Sequence, residues 1–202
     1  MNRPIEATKS YSGDEVTVKS TEGGILHNMP QSVVWTAKGY GWQAMATAAV
    51  ASLVVRPTTT AMATLYNNTA KNFVIEKVTA FNLLSIANGQ FGIWLCVHPI
   101  GMTAPTNDIT ARNSNSGLAA GTEGIYDRSA AVNNNGWHPW GVSQTSVTAT
   151  VPGSQADAQV NGKIIIPPTA ALSVSCVGQT AVITVQISIH YFSVPTSELA
   201  LG

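Results

Sequence analysis

Charge is what this chain has least of. Lys, Arg, Asp and Glu together make only 10% of its 202 residues, where roughly 25% is usual for a soluble domain. Ten cationic side chains balance ten carboxylates, and none of them form a basic run. A phosphate backbone is held by several clustered cations, so nucleic-acid binding and genome packaging are not expected. Cysteine is nearly absent too, with only Cys96 and Cys176. A secreted disulfide scaffold would use more. Both lie in apolar, strand-like runs, "FGIWLCVH" and "ALSVSCVG", which suits buried thiols acting as small hydrophobes. A bond between neighbouring strands stays open.

Long apolar runs are missing as well. The nearest, "AMATAAVASLVV" at 44–55, falls short of the roughly 20 residues of a membrane-spanning helix. The start, "MNRPIEATKSYSGDEV", lacks the apolar stretch of a secretory signal. The expectation is a soluble protein made in a cytoplasm, with no membrane partner. The sequon Asn67-Asn68-Thr69 carries little meaning in that setting.

Catalytic signatures do not surface either. His27, His98, His138 and His190 have no partners at zinc spacing. There is no Gly-x-Ser-x-Gly elbow and no phosphate-binding loop, and Gly39-Tyr40-Gly41 lacks the rest of a dinucleotide fingerprint. Asp108, Glu123 and Asp127 lie in an irregular region rather than on strands that would set a catalytic separation. We therefore expect no enzyme, no cofactor and no metal. His98 would share a strand face with Trp94 and Cys96 as a satisfied core or interface histidine, and His190 would fall on a polar strand face.

What the chain does have is period-2 alternation. In "AVITVQISIHYFSV", Ile183, Val185, Ile187, Ile189 and Tyr191 point one way, and Thr184, Gln186, Ser188 and His190 the other. Leu172, Val174 and Cys176 repeat the pattern, with "VGQT" between the two runs as a hairpin and Gly178 available for positive φ. Further strands are expected at 59–67, 72–85, 91–98, 144–151 and 158–166, the last closed by Pro167-Pro168. Run 91–98 is apolar on both faces, as a strand between two layers would be. The Ala-rich stretch 43–52 suits a short helix or a strand equally. These readings give an all-β fold, an antiparallel β-sandwich or jelly roll at 48–202. Residues 1–47 form an N-terminal arm, with strand candidates "EVTVK" and "SVVWT", and 99–142 a long irregular loop within the sandwich domain.

The loop closes on "NNNGWHPWG", the densest aromatic stretch of the chain. Trp137 and Trp140 suit an anchor that plugs the loop into the sandwich or a partner, each burial contributing roughly 2 to 3 kcal/mol. A sugar- or partner-binding patch is the second reading, and metal or catalytic use of His138 the third.

The runs "RPTTTAMATLYNNTAKNFVIEKVTAFNLL" and "GKIIIPPTAALSVSCVGQTAVITVQISIHY" carry a resemblance. A strand ending in Leu-Tyr-Asn, a Lys-bearing turn and a Pro-Pro stop before "TAALSV" are similar to the jelly-roll decoration or cement proteins of tailed-bacteriophage virions. The likeness covers residues 48–194. It implies a homotrimer on the outer capsid that binds the major capsid protein across neighbouring capsomers, with no catalytic residues. The alternative from the residues is a virion adhesion module, a head fibre or tail tip, making glycan contacts through 99–142.

Overall fold

The computed structural model describes residues 5–7, 16–18, 30–85, 90–118, 121, 123–128, 130–132, 136–142, 155–180 and 183–199. The chain divides into two compact units, 1–34 and 35–202. In the first, β1 (Ile5–Ala7) and β2 (Val16–Val18) pair antiparallel, Ile5 opposite Val18 and Ala7 opposite Val16.

Helix α1 (Gln31–Ala37) occupies the run "SVVWT", which β-propensity alone marks as a strand. Local hydrogen bonding overrides that propensity. The Pro30 carbonyl accepts from the Val33 and Val34 amides, and at the other end Gly39 and Tyr40 donate to Thr36 and Trp35. That pair of bonds closes the last turn, with Gly39 in the left-handed region at φ +80°.

The sandwich follows. Strands β3 (Gly41–Met45) and β4 (Val50–Ala51) resolve the Ala-rich ambiguity toward strand. Next come β5 (Ala63–Tyr66), β6 (Asn72–Ser85) and β7 (Phe91–His98), then β8 (Arg112–Asn113), β9 (Ile125–Asp127) and β10 (His138–Val142). The chain ends with β11 (Gln155–Gln159), β12 (Ile165–Ile166), β13 (Ala171–Gly178), β14 (Ile183–Val194) and a 3-10 turn at Thr196–Glu198. The expected strand at 144–151 lies outside the described residues. β3 falls inside the stretch read as an arm, yet it pairs with β14, and the division between units comes after Val34.

Two antiparallel sheets result. The first runs β10-β7-β13-β5-β9, and the second β11-β6-β14-β3-β8, with β12 also on β6 and β4 on β14. Pairing is nested: β5 with β13, β6 with β11 and β12, β7 with β10. The nesting carries successive strand pairs from one sheet of the sandwich to the other, and in the second sheet β14 and β3 extend from β6.

One connection departs from expectation. β13 and β14 are not a hairpin; they lie in different sheets, and "VGQT" begins the passage between layers. Inward-facing apolar residues on both strands force this, since each buries one face against the other sheet. Gly178 is not in the left-handed region; it is needed for space, because a Cβ there would lie 2.7 Å from Ser52 Oγ.

Between the sheets, Leu65, Phe91, Ile93, Leu95, Leu172 and Val174 meet Phe73, Ile75, Val78, Ile183, Ile187 and Ile189, all buried. Each such side chain contributes roughly 1.5 to 3 kcal/mol. Tyr126 of β9 crosses this core and donates to the Ile187 carbonyl at 2.7 Å, tying an edge of one sheet to the middle of the other. Cys176 faces this core, whereas Cys96 faces the opposite side of the first sheet. Both are buried thiols, and burial pushes Cys176 up to about 12.

Candidate functional site

Parts of the long connection between β7 and β10, at Met102, Ala130, Val132 and Trp137, lie over the outer face of the first sheet. Backbone bonds lay them down: Met102 donates to Thr169, Ala61 to Ala130, and Val132 to Thr59. Beneath it Cys96, Ala61, Ala130, Val132 and Trp137 form a second apolar cluster, with Trp94 and Met102 at its margin. The first sheet is therefore covered on both faces, which is why "FGIWLCVH" carries apolar residues at every strand position but Gly92 and the terminal His98.

Trp137 enters this cluster 3% exposed, and its indole N–H donates to the Thr58 carbonyl at 2.8 Å. Trp140 turns the other way. It packs half-buried against the core between the sheets, with its N–H on the Gln159 carbonyl at 3.1 Å. The two indoles thus grip opposite faces of one edge strand. A shift in register between Pro139 and Gly141 accompanies the change of side. His138 is exposed, its ring 5.4 Å from that of Trp140 and its Nδ1 3.3 Å from the Gly136 carbonyl oxygen. The structure brings these three residues together in sequence but not into one pocket.

A polar ladder runs through the covered face. Asp127, Thr64, Ser173 and Cys96 stand side by side on β9, β5, β13 and β7. Ser173 Oγ lies 2.9 Å from Thr64 Oγ1 and 2.8 Å from His98 Nε2. The latter is the spacing of a nucleophile and its base. Ser173 is fully buried, however, so no reacting atom has room beside it. The contact instead satisfies polar groups in a dry layer. Burial lowers the His98 pKa, favouring the neutral ring. A shallow cleft of about 330 Å³ opens above His98, lined by Pro99 to Thr103 and Ala131.

The three carboxylates of this connection are structural ties, with Asp127 on strand β9 rather than in the irregular chain expected. Glu123 pairs with Lys71 at 2.7 Å and accepts from Ser193, while its carbonyl accepts from Tyr191. Asp108 accepts from the backbone N–H of Arg128 and faces its guanidinium at 3.5 Å. Asp127 is buried and accepts from the Thr106 amide at 3.1 Å. Among the described residues no group of three or more His, Cys, Asp or Glu side chains is placed to hold a metal ion, and no helix is long and apolar enough to cross a membrane.

Sequence reasoning passed over Asn67, although its setting offered a signal. In a turn between two apolar strands, an Asn followed two residues later by Thr forms a side-chain-closed turn. Here Asn67 is fully buried; it accepts from the Thr69 amide and hydroxyl and donates to the Lys71 and Ile166 carbonyls. Its amide is thus engaged inside the fold, which removes the sequon from solvent. Glu123 had no such signal, because Lys71 and Ser193 lie 52 and 70 residues away.

Comparison with protein-family models, with curated proteins and with solved structures found no match.

Proposed function

We propose that this chain is a structural virion protein that decorates the outer capsid surface as a homotrimer, its N-terminal unit engaging neighbouring capsomers and the major capsid protein. The observation that carries the reading is the unit at 1–34, a compact unit of its own in which β1 and β2 join through three residue pairs. A two-stranded hairpin is marginally stable in water by itself, so it gains most by adding to a partner's surface. The sandwich supplies a rigid body, with one sheet covered on both faces and its long loop pinned by Trp137 and Glu123. In this reading the protein performs no catalysis.

The test is to incubate the full chain with undecorated capsids, image the particles, and follow amide exchange at 5–7 and 16–18. Occupied capsid positions together with slowed exchange in both strands are expected. Unoccupied particles at saturating protein would sink the proposal.

An adhesion role built on the tryptophans of the long loop is less well supported. Trp137 is buried, and Trp140 packs half-buried against the core between the sheets.

A further inference from the structure

Among the described residues, an apolar cover packs on one end of the outer face of the second sheet. There Val74, Phe192 and Val194 are packed under Trp35 and Tyr40, with Leu199 beside them. Beyond that end the register places five polar side chains in one line, with Gln159, Gln43 and Arg112 exposed and Lys77 and His190 half-buried. Gln159 stands opposite Lys77, Lys77 opposite His190, His190 opposite Gln43, and Gln43 opposite Arg112. All five share a side, because their strand neighbours Ala158, Val78, Ile189 and Ala44 point into the core. With strands about 4.8 Å apart, the line spans roughly 19 Å, the length of a short oligosaccharide.

We propose that this face binds an acidic, carboxylate-bearing polysaccharide. The proposal does not rest on the virion reading and uses none of the residues that support it. Charge complementarity selects the occupant. Lys77 is shared with Asp157 at 3.6 Å, and Asp108 is taken by Arg128. Arg112 has no ion pair among the described residues. It stands exposed at the end of the line, in a groove of about 600 Å³ between β3, β14 and the 108–110 segment. A guanidinium fork is suited to grip a carboxylate with two parallel bonds. Gln43 and Gln159 each offer a donor and an acceptor, as paired sugar hydroxyls require. In the next line Asp157 stands opposite Thr79, with Ser188 buried beyond it.

Other occupants fit less well. A nucleic acid needs more clustered cations than Lys77 and Arg112 supply. A protein partner needs an apolar centre, and Met45 is the only large exposed hydrophobe in the groove.

Affinity electrophoresis of the full chain through gels containing polygalacturonate, with neutral dextran gels alongside, tests this. Polygalacturonate is expected to retard the wild type and dextran to leave it unretarded. Arg112→Ala should weaken retardation about tenfold, and Gln43→Ala several-fold, with melting temperatures unchanged because both side chains are exposed. Unretarded wild type, equal retardation by dextran, or retardation of Arg112→Ala matching the wild type would each overturn the site. The Arg112→Ala protein should still decorate capsids if the wild type does. Loss of both activities would mean one shared surface and would overturn a separate polysaccharide site.

Discussion

The outer faces of the two sheets have opposite fates. On the first, the chain returns over its own strands and seals Thr64, Ser173 and His98 in a dry layer beside Trp137. On the second, Trp35 and Tyr40 cover one end, while Gln43 and Arg112 are exposed and Lys77 and His190 half-buried. Both faces carry polar side chains at alternate positions, so alternation alone does not say which is wet. The cover decides. Buried hydroxyls and an imidazole must find one another, and they do. The exposed amides and guanidinium are left to meet something else.

Five substitutions would break or sharpen this contrast. Trp137→Ala should cost most, about 3 to 5 kcal/mol of unfolding free energy in urea melts, since it empties the covered layer and strands the Thr58 carbonyl. Trp140→Ala should cost clearly less, because that indole is only half-buried. Equal losses would mean that the covered face is no better sealed than the sheet edge.

Glu123→Gln comes next, at about 1 to 2 kcal/mol. It removes the Lys71 ion pair and weakens the bond to Ser193, both partly buried. Hydrogen exchange should quicken along 123–128 rather than across the sandwich, and uniform quickening would contradict a local tie.

The third test is acid. His98 has its pKa lowered in the folded state by burial, so the unfolded chain binds the proton more readily. The associated stability is present above the unfolded pKa of about 6.5 and is lost as pH falls through the folded value. His98→Gln should flatten part of that decline in pH-dependent melts. An unaltered pH profile would show that the covered layer is not dry. His138→Ala should have the smallest effect, within about 0.5 kcal/mol, since that ring is exposed on the edge strand.

Much of the fold was legible in the residues. The alternation at 183–191, the doubly apolar run at 91–98 and the Pro-Pro stop after Ile166 each mark a strand or a boundary seen in the structure. Less was legible where elements are short. The two-residue β8 and three-residue β9 are too brief to show a period, so the region holding them reads as irregular. Helix α1 was missed because the hydrogen bonds that close it outweigh the strand preference of Val and Trp. The site was harder still. Trp137 and Trp140 stand out as aromatic residues, and their spacing of three already sets them on opposite faces of extended chain, but what each face meets follows only from the pairing of β10 with β7.

By itself, then, the sequence determined the all-β character, the residues facing the core and the burial of both thiols, because period-2 alternation and apolar flanks are local properties. The tertiary structure decided which strands are neighbours, that "VGQT" begins a passage between sheets, and that a polar row is buried on one outer face while Gln43 and Arg112 are exposed on the other. Those depend on contacts across the chain. Residues 43, 77, 112, 159 and 190 are strangers in sequence, and only the pairing of five strands sets them in a line.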